Sequence, residues 1–282
     1  MTATLLALVA GALIGAGLWV TCGGLFTAEP LMRENYAGRP IPTGVGVLVP
    51  LSVVVLVAAG HLALLSARRG AIWYEQGRTA LLATAVFSLL GLLDDVAGVG
   101  QSGGFRQHVR SLLRGELSTG AVKLVGGAAA GILVASAAPA ADVGVLAALR
   151  DGATVALAAN LANLFDRAPG RSTKFSTLFF LVAAAVARRP ELAGPAVGIG
   201  AGIGLLWPDL RERMMLGDAG ANPLGALVGF AWLIAIPAPG WRWGLLGVLV
   251  LANAASEAVS YSAVIDRVAP LRWFDRLGSL RT

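Results

Sequence analysis

The sequence predicts an all-α fold, a polytopic membrane helix bundle, and three observations carry that prediction. Of 282 residues, 56% are hydrophobic and 13% charged, with a mean hydropathy of +0.74. Soluble domains run near about 45–50% apolar and about 25% charged, so this is the composition of a chain living in lipid. Apolar segments long enough to cross about 30 Å of hydrocarbon recur from one end to the other. Only short polar loops separate them, so residues 1–282 read as a single integral-membrane domain.

The segments fall at 3–26, 44–66, 79–96, 119–140, 145–164, 174–188, 192–208, 223–238 and 243–263, about nine transmembrane helices within a range of eight to ten. The first, within "MTATLLALVAGALIGAGLWV", lacks a basic n-region and reads as a span, not a cleaved leader. The third runs without a charge until it meets Asp94 and Asp95 side by side. The sixth and seventh are short. Abundant Gly and Ala throughout suit close helix packing in a bilayer. Cys22 is the only cysteine, which excludes an intrachain disulfide and any cysteine-based metal site.

Nine spans put the termini on opposite sides. Loops 27–43, 97–118, 165–173, 209–222 and the tail from 264 then share one face, which with its span ends carries fifteen Lys and Arg against seven on the other. Positive charge marks the cytoplasmic side, so the N-terminus is expected outside and the C-terminus in the cytoplasm of a multi-pass cell-membrane (inner or plasma membrane) protein.

On this map Asp94, Asp95, Asp166, Asp209, Asp218 and Asp266 lie at or beside the cytoplasmic face, while Glu75, Asp142, Asp151 and Glu191 are scattered outside without evident partners. An ion or proton pathway would place acids near mid-membrane, and these spans have none there. Carboxylates gathered at one interface among arginines and glycine-rich turns suit a phosphorylated ligand and a hard cation.

Three stretches concentrate the signal. "GLLDDVAG" ends the third span. In "NLANLFDRAPGRSTK", Asn160, Asn163 and Asp166 are spaced i, i+3, i+6 along one side of a helix end, before a Pro169-Gly170 break and then Arg171 and Lys174. In "MLGDAGANPLGA", Gly217 and Gly220 bracket Asp218, where glycines let backbone approach a ligand and the carboxylate is free to bind metal. Each has an ordinary structural reading: a helix cap, an inter-helix hydrogen bond, a turn. Their shared side of the membrane favours a site. Arg106, Arg110 and Arg114, four apart in "GFRQHVRSLLRGEL", read instead as a surface helix on anionic lipid. Glu257 near the end of the last span admits either packing or a place at the site's edge.

Taken in order, the motifs resemble the polyprenyl-phosphate N-acetylhexosamine-1-phosphate transferase superfamily, which includes the phospho-N-acetylmuramoyl-pentapeptide transferases and their undecaprenyl-phosphate N-acetylglucosamine-1-phosphate counterparts. The family's basic–x–x–P–x–G–G loop is similar to "GRPIPTGVG" from Gly38 to Gly46, with Arg39 as the basic residue. Its D-D pair matches Asp94-Asp95, its following lysine Lys123, its N-x-x-N-x-x-D segment Asn160, Asn163 and Asp166, and its G-D-x-G Gly217 to Gly220. Two departures mark a divergent branch. "RAPGRSTK" stands where the family has G-x-(D/N)-G-L, and the tail "VIDRVAPLRWFDRLG" stands in place of a histidine-rich loop.

The resemblance implies an Mg²⁺-dependent glycosyltransferase, with Mn²⁺ as an alternative metal. It would transfer a sugar-1-phosphate, an N-acetylhexosamine in most of the family, from a UDP-sugar to a polyprenyl phosphate and release UMP, in cell-envelope polysaccharide or peptidoglycan precursor synthesis. It implies catalytic roles for Asp94, Asp95, Asp166 and Lys123, substrate contacts from Arg39, Asn160, Asn163, Arg171 and Lys174, and metal ligation by Asp218 and Asp95. Which of Asp94 and Asp95 acts as base stays open, because adjacent acids titrate as a pair. Expected partners are the lipid phosphate, the UDP-sugar and membrane lipids, with a homodimer left open and no nucleic acid. Two other classes fit less well: an aromatic-acceptor prenyltransferase needs two D-x-x-x-D clusters, and a transporter needs a mid-membrane polar site. A non-catalytic lipid-phosphate-binding or scaffold descendant is the alternative.

The sidedness is directly testable. Single cysteines placed in loops 97–118, 165–173 and 209–222 of a Cys22→Ser background should resist an impermeant thiol reagent in intact cells. Labelling at residue 102 from outside would reverse the map.

Overall fold

A computed structural model describes residues 1–67, 72–97, 119–139 and 142–281. These form α1 (Thr2–Cys22), α2 (Leu48–Ala67), α3 (Ile72–Ala97), α4 (Thr119–Ala135), α5 (Val145–Phe165), α6 (Arg171–Ala187), α7 (Ala193–Leu210), α8 (Asp218–Ala235), α9 (Pro239–Ala255), α10 (Tyr261–Arg267) and α11 (Ala269–Arg276). Among the described residues the fold is helical but for one hairpin, and each predicted apolar segment overlaps one of α1 to α9. Among the described residues, four stretches are long and apolar enough to cross a membrane: Thr2–Thr27, Val45–Ala63, Gly77–Ala97 and Val145–Phe165. The Arg106–Arg114 segment lies outside the described residues.

One element departs from the all-α expectation. Met32–Glu34 (β1) pairs antiparallel with Pro40–Pro42 (β2), in the register Met32 to Pro42. With three residues per strand and proline at both ends of β2, it carries too little alternation to be read from sequence.

Helix α8 is the axis of the bundle. Fifteen of its eighteen residues are buried, so it is apolar on all sides and needs neighbours all round. Helices α3, α5, α6 and α7 supply them. Helix α1 packs on α7 through small residues on both partners. A Cβ added at Gly11 would overlap the Val197 carbonyl, one at Gly200 the Leu8 carbonyl, and one at Gly204 the Ala12 carbonyl. Gly11 with Gly15 and Gly200 with Gly204 are four apart, the small-xxx-small arrangement that lets membrane helices touch backbone to backbone.

Exposed tryptophans mark both ends of the bundle: Trp207 and Trp273 where α8 begins, Trp241 and Trp243 where α9 begins. Bilayer interfaces favour such amphipathic rings at both ends of a span. Against Trp243, over whose ring the Arg150 guanidinium lies, sits a polar knot that gives Asp142 and Asp151 the partners they were not expected to have. Arg150, 1% exposed, donates Nε to Asp151 Oδ1 at 2.7 Å and its two terminal nitrogens to Asp142 at 3.0 and 2.7 Å. Arg242, equally buried, donates to Asp151 and to the carbonyls of Leu233, Ile236 and Pro139. The hydrogen bonds from Arg150 hold the Asp142 carboxyl below the usual range.

The glycine seam predicts a contrast. Gly200→Val should cost about 1–3 kcal/mol by overpacking and lower the thermal unfolding midpoint in detergent. Gly17→Val, in the same pair of helices but facing open space, should leave the midpoint near wild type. Equal behaviour of the two variants would remove the seam from the account.

Candidate active site at the amino end of α8

Three glycine-rich stretches far apart in sequence interlock at the start of α8. The Gly46 N–H donates to the Leu216 carbonyl at 2.9 Å, and the Met215 N–H to the Pro42 carbonyl at 2.7 Å. Gly217 has a φ of +71°, a left-handed conformation that an L side chain rarely adopts. A Cβ at Gly46 would overlap Gly220, and one at Gly91 the Asp218 carbonyl, so loop, α3 and the G-D-x-G turn meet at backbone distance. The motifs expected to form a site are therefore together.

The two adjacent aspartates divide the work. Asp95 accepts the Asp218 N–H on Oδ1 and the Ala219 N–H on Oδ2, both at 3.0 Å, and so caps α8. Asp94 accepts the Lys123 ammonium at 3.0 Å. The same Lys123 Nζ donates to Asp218 Oδ2, which also accepts the Asn163 amide at 3.2 Å. Asp166 completes the group half-buried. Burial and the neighbouring carboxylates of Asp209, Asp218 and Asp95 push its carboxyl well above the usual range, opposed by a hydrogen bond from the Gly217 backbone.

Other expected site residues are placed elsewhere. Asn160 donates to Asn253 Oδ1 at 2.7 Å, stitching α5 to α9. Arg39 pairs with Glu212, which also accepts Asn35 Nδ2 at 3.0 Å and the Tyr36 hydroxyl at 2.5 Å. It thus fastens the hairpin to the α7–α8 turn.

Arg171 and Lys174 were expected on phosphate, and their donors are spent differently. Arg171, 1% exposed, makes a fork to Asp275, Nε to Oδ1 at 2.7 Å and Nη2 to Oδ2 at 2.9 Å, and gives Nη1 to Ser262 Oγ at 2.7 Å. Lys174 Nζ donates to the carbonyls of Phe274, Asp275 and Leu277, capping the end of α11. Arg281 adds a second cation to Asp275 at 2.6 Å. Burial opposes ionisation of Asp275, but the hydrogen bonds from Arg171 and Arg281 outweigh it and hold the carboxyl below the usual range. The stretch "RSTK" is a receptor for the C-terminal segment.

Sequence reasoning missed Arg33, whose Nη2 donates to the Asp95 carbonyl at 3.3 Å from the hairpin. It also missed Asp275. The lone acid among the basic residues of "LRWFDRLG" was the available signal.

Among the described residues, no three carboxylate, histidine or cysteine side chains form a metal centre as they stand. The donors nevertheless fit a hard divalent cation in kind: Asp94 and Asp218 face one cationic atom, Lys123 Nζ, between them. Asp95 fits less well as a ligand, because both its oxygens already hold backbone N–H groups. No protein-family model matches the chain, and no curated protein matches it.

The cap carries a prediction that separates the two aspartates. Asp95→Ala should destabilise the bundle by about 1–2 kcal/mol through loss of the cap. Asp94→Ala, which removes one partner of a partly exposed ion pair, should cost less than about 1 kcal/mol. Unfolding midpoints in one detergent compare them, and a more damaging Asp94→Ala would sink the division of roles.

Proposed function

We propose that the chain is a phosphoglycosyl transferase that moves a sugar-1-phosphate from a UDP-sugar to a polyprenyl phosphate at the amino end of α8. The observation that supports it best is Lys123 bridging Asp94 and Asp218, with Asn163 on the same Asp218 oxygen, at the end of an apolar bundle. A lipid phosphate and a soluble anionic donor meet most readily at such an end. In this reading the bundle has about nine spans in the cell membrane, with the α8 amino end on the cytoplasmic side.

The lipid phosphate, with a second pKa near about 6, is mostly dianionic at neutral pH, so it needs little base catalysis. Its oxygen forms a bond to the sugar-bearing phosphorus of the donor. The phosphorus bond to the bridging diphosphate oxygen breaks, and UMP leaves with that electron pair. Positioning and charge neutralisation supply most of the rate in such a transfer. In this reading Lys123 meets phosphate oxygens, Asn163 orients Asp218, and Asp166 holds a proton beside them. Mg²⁺ or Mn²⁺ held by Asp94 and Asp218 would supply charge neutralisation of the diphosphate.

A second reading rests on the same geometry. Lys123, Asn163 and Asp95 all find partners inside the group, as in a purely structural polar knot holding a non-catalytic lipid-phosphate binder. UMP release by purified protein with polyprenyl phosphate and a panel of UDP-sugars separates the two. Lys123→Met and Asp218→Asn should each lower kcat about a hundredfold or more with helicity retained. Absence of release from the wild type under every sugar would leave the knot.

A further inference from the structure

An open cavity of about 350 Å³ lies between the hairpin and the C-terminal segment, lined by Tyr36, Asp266, Arg276, Leu280 and Arg281. It stands at the lower end of ligand-pocket sizes. Its lining combines an aromatic face, an aliphatic edge, two guanidinium groups and one carboxylate. The Tyr36 ring is 56% exposed although its hydroxyl is anchored on Glu212 at 2.5 Å. A ring fixed at its tip and open on its face is a ready stacking platform. The guanidinium groups have capacity to spare. Among the described residues, Arg276 has one loose ion pair, to Asp266 at 3.8 Å, and Arg281 uses Nε and Nη2 on Ser279 and Asp275 but not Nη1.

The cavity is tied to the aspartate cluster along two threads. On one side the hairpin's Arg33 touches the Asp95 carbonyl, and Tyr36 lies three residues further on, at most about 10 Å of chain. On the other side Arg281 holds Asp275, Asp275 holds Arg171, and the adjacent Gly170 N–H donates to Asp209 at 2.9 Å, beside Asp166.

From this juxtaposition we infer that the cavity binds the nucleoside end of the sugar donor. The base stacks on Tyr36 and gives a ring N–H to Asp266, and Arg276 and Arg281 take the adjoining phosphate. The inference rests on the transfer reading above for the identity of the donor. It also makes the tail that stands in place of the family's histidine-rich loop one wall of the nucleotide pocket.

Calorimetric titration of the full chain in neutral detergent with UMP, uridine and inorganic phosphate tests it. UMP should bind, with uridine and phosphate each much weaker. Tyr36→Ala should weaken UMP about tenfold or more through loss of stacking, while Tyr36→Phe, which keeps the ring but frees its tip from Glu212, should weaken it less than Tyr36→Ala. Arg276→Ala, at a partly exposed position that leaves folding intact, should weaken UMP about tenfold. Three results overturn the inference. These are UMP binding indifferent to Tyr36→Ala and Arg276→Ala, complete displacement of UMP by anionic lipid micelles (which would make the cavity a headgroup site), and no UMP binding by the wild type. Donor KM in the transfer assay tells the two readings apart. Turnover with an unchanged KM in both variants removes the pocket and leaves the transferase. Variant-sensitive UMP binding without turnover supports the pocket and removes the transferase.

Discussion

Two backbone N–H groups at the partly buried start of α8 need an acceptor, and one carboxylate satisfies both. A helix whose flanks are all packed cannot send its first N–H groups to bulk water, and an unpaired one costs heavily in apolar surroundings. Asp95 reaches them only because Gly91, one turn earlier on α3, lets the two backbones touch. With the start of α8 pinned, the Asp218 side chain has one place to go, toward Lys123 and Asn163. Position, cap and charge cluster are thus a single construction.

The two ends of the bundle handle charge in opposite ways. Around Trp243, Arg150 and Arg242 share Asp142 and Asp151 and use backbone carbonyls for their remaining donors, so cations and acids balance. Such a knot resists removal of one partner strongly, whatever its net contribution. At the start of α8, Asp94 and Asp218 share the Lys123 ammonium, while Asp166 lies within electrostatic reach of Asp209, Asp218 and Asp95. Acids crowded in this way oppose one another's ionisation, and the raised carboxyl of Asp166 is the consequence.

The long apolar segments were legible because membrane crossing imposes length and composition on a contiguous stretch. The cluster was legible because each of its parts is a local pattern. What failed to show were pairings between distant residues. Arg171 follows a helix break beside Asp166, and nothing local says that its partner lies 104 residues away. Asp151 likewise needs Arg242. Asp94 and Asp95 have the same chemistry in the sequence. Successive residues on a helix point roughly 100° apart, so only the neighbouring helices decide which becomes the cap.

The clasp between Arg171 and the C-terminal segment sets a schedule for biogenesis. A ribosome adding about 5–20 residues per second completes the 104 residues from Arg171 to Asp275 in roughly 5–20 s. Through that interval a guanidinium destined for burial has no carboxylate. A chain halted before Asp275 keeps that unmatched cation, together with a lysine lacking the carbonyls it should cap. Burial of Arg171 in its ion pair is therefore a late step of folding, open only once synthesis has run past Asp275.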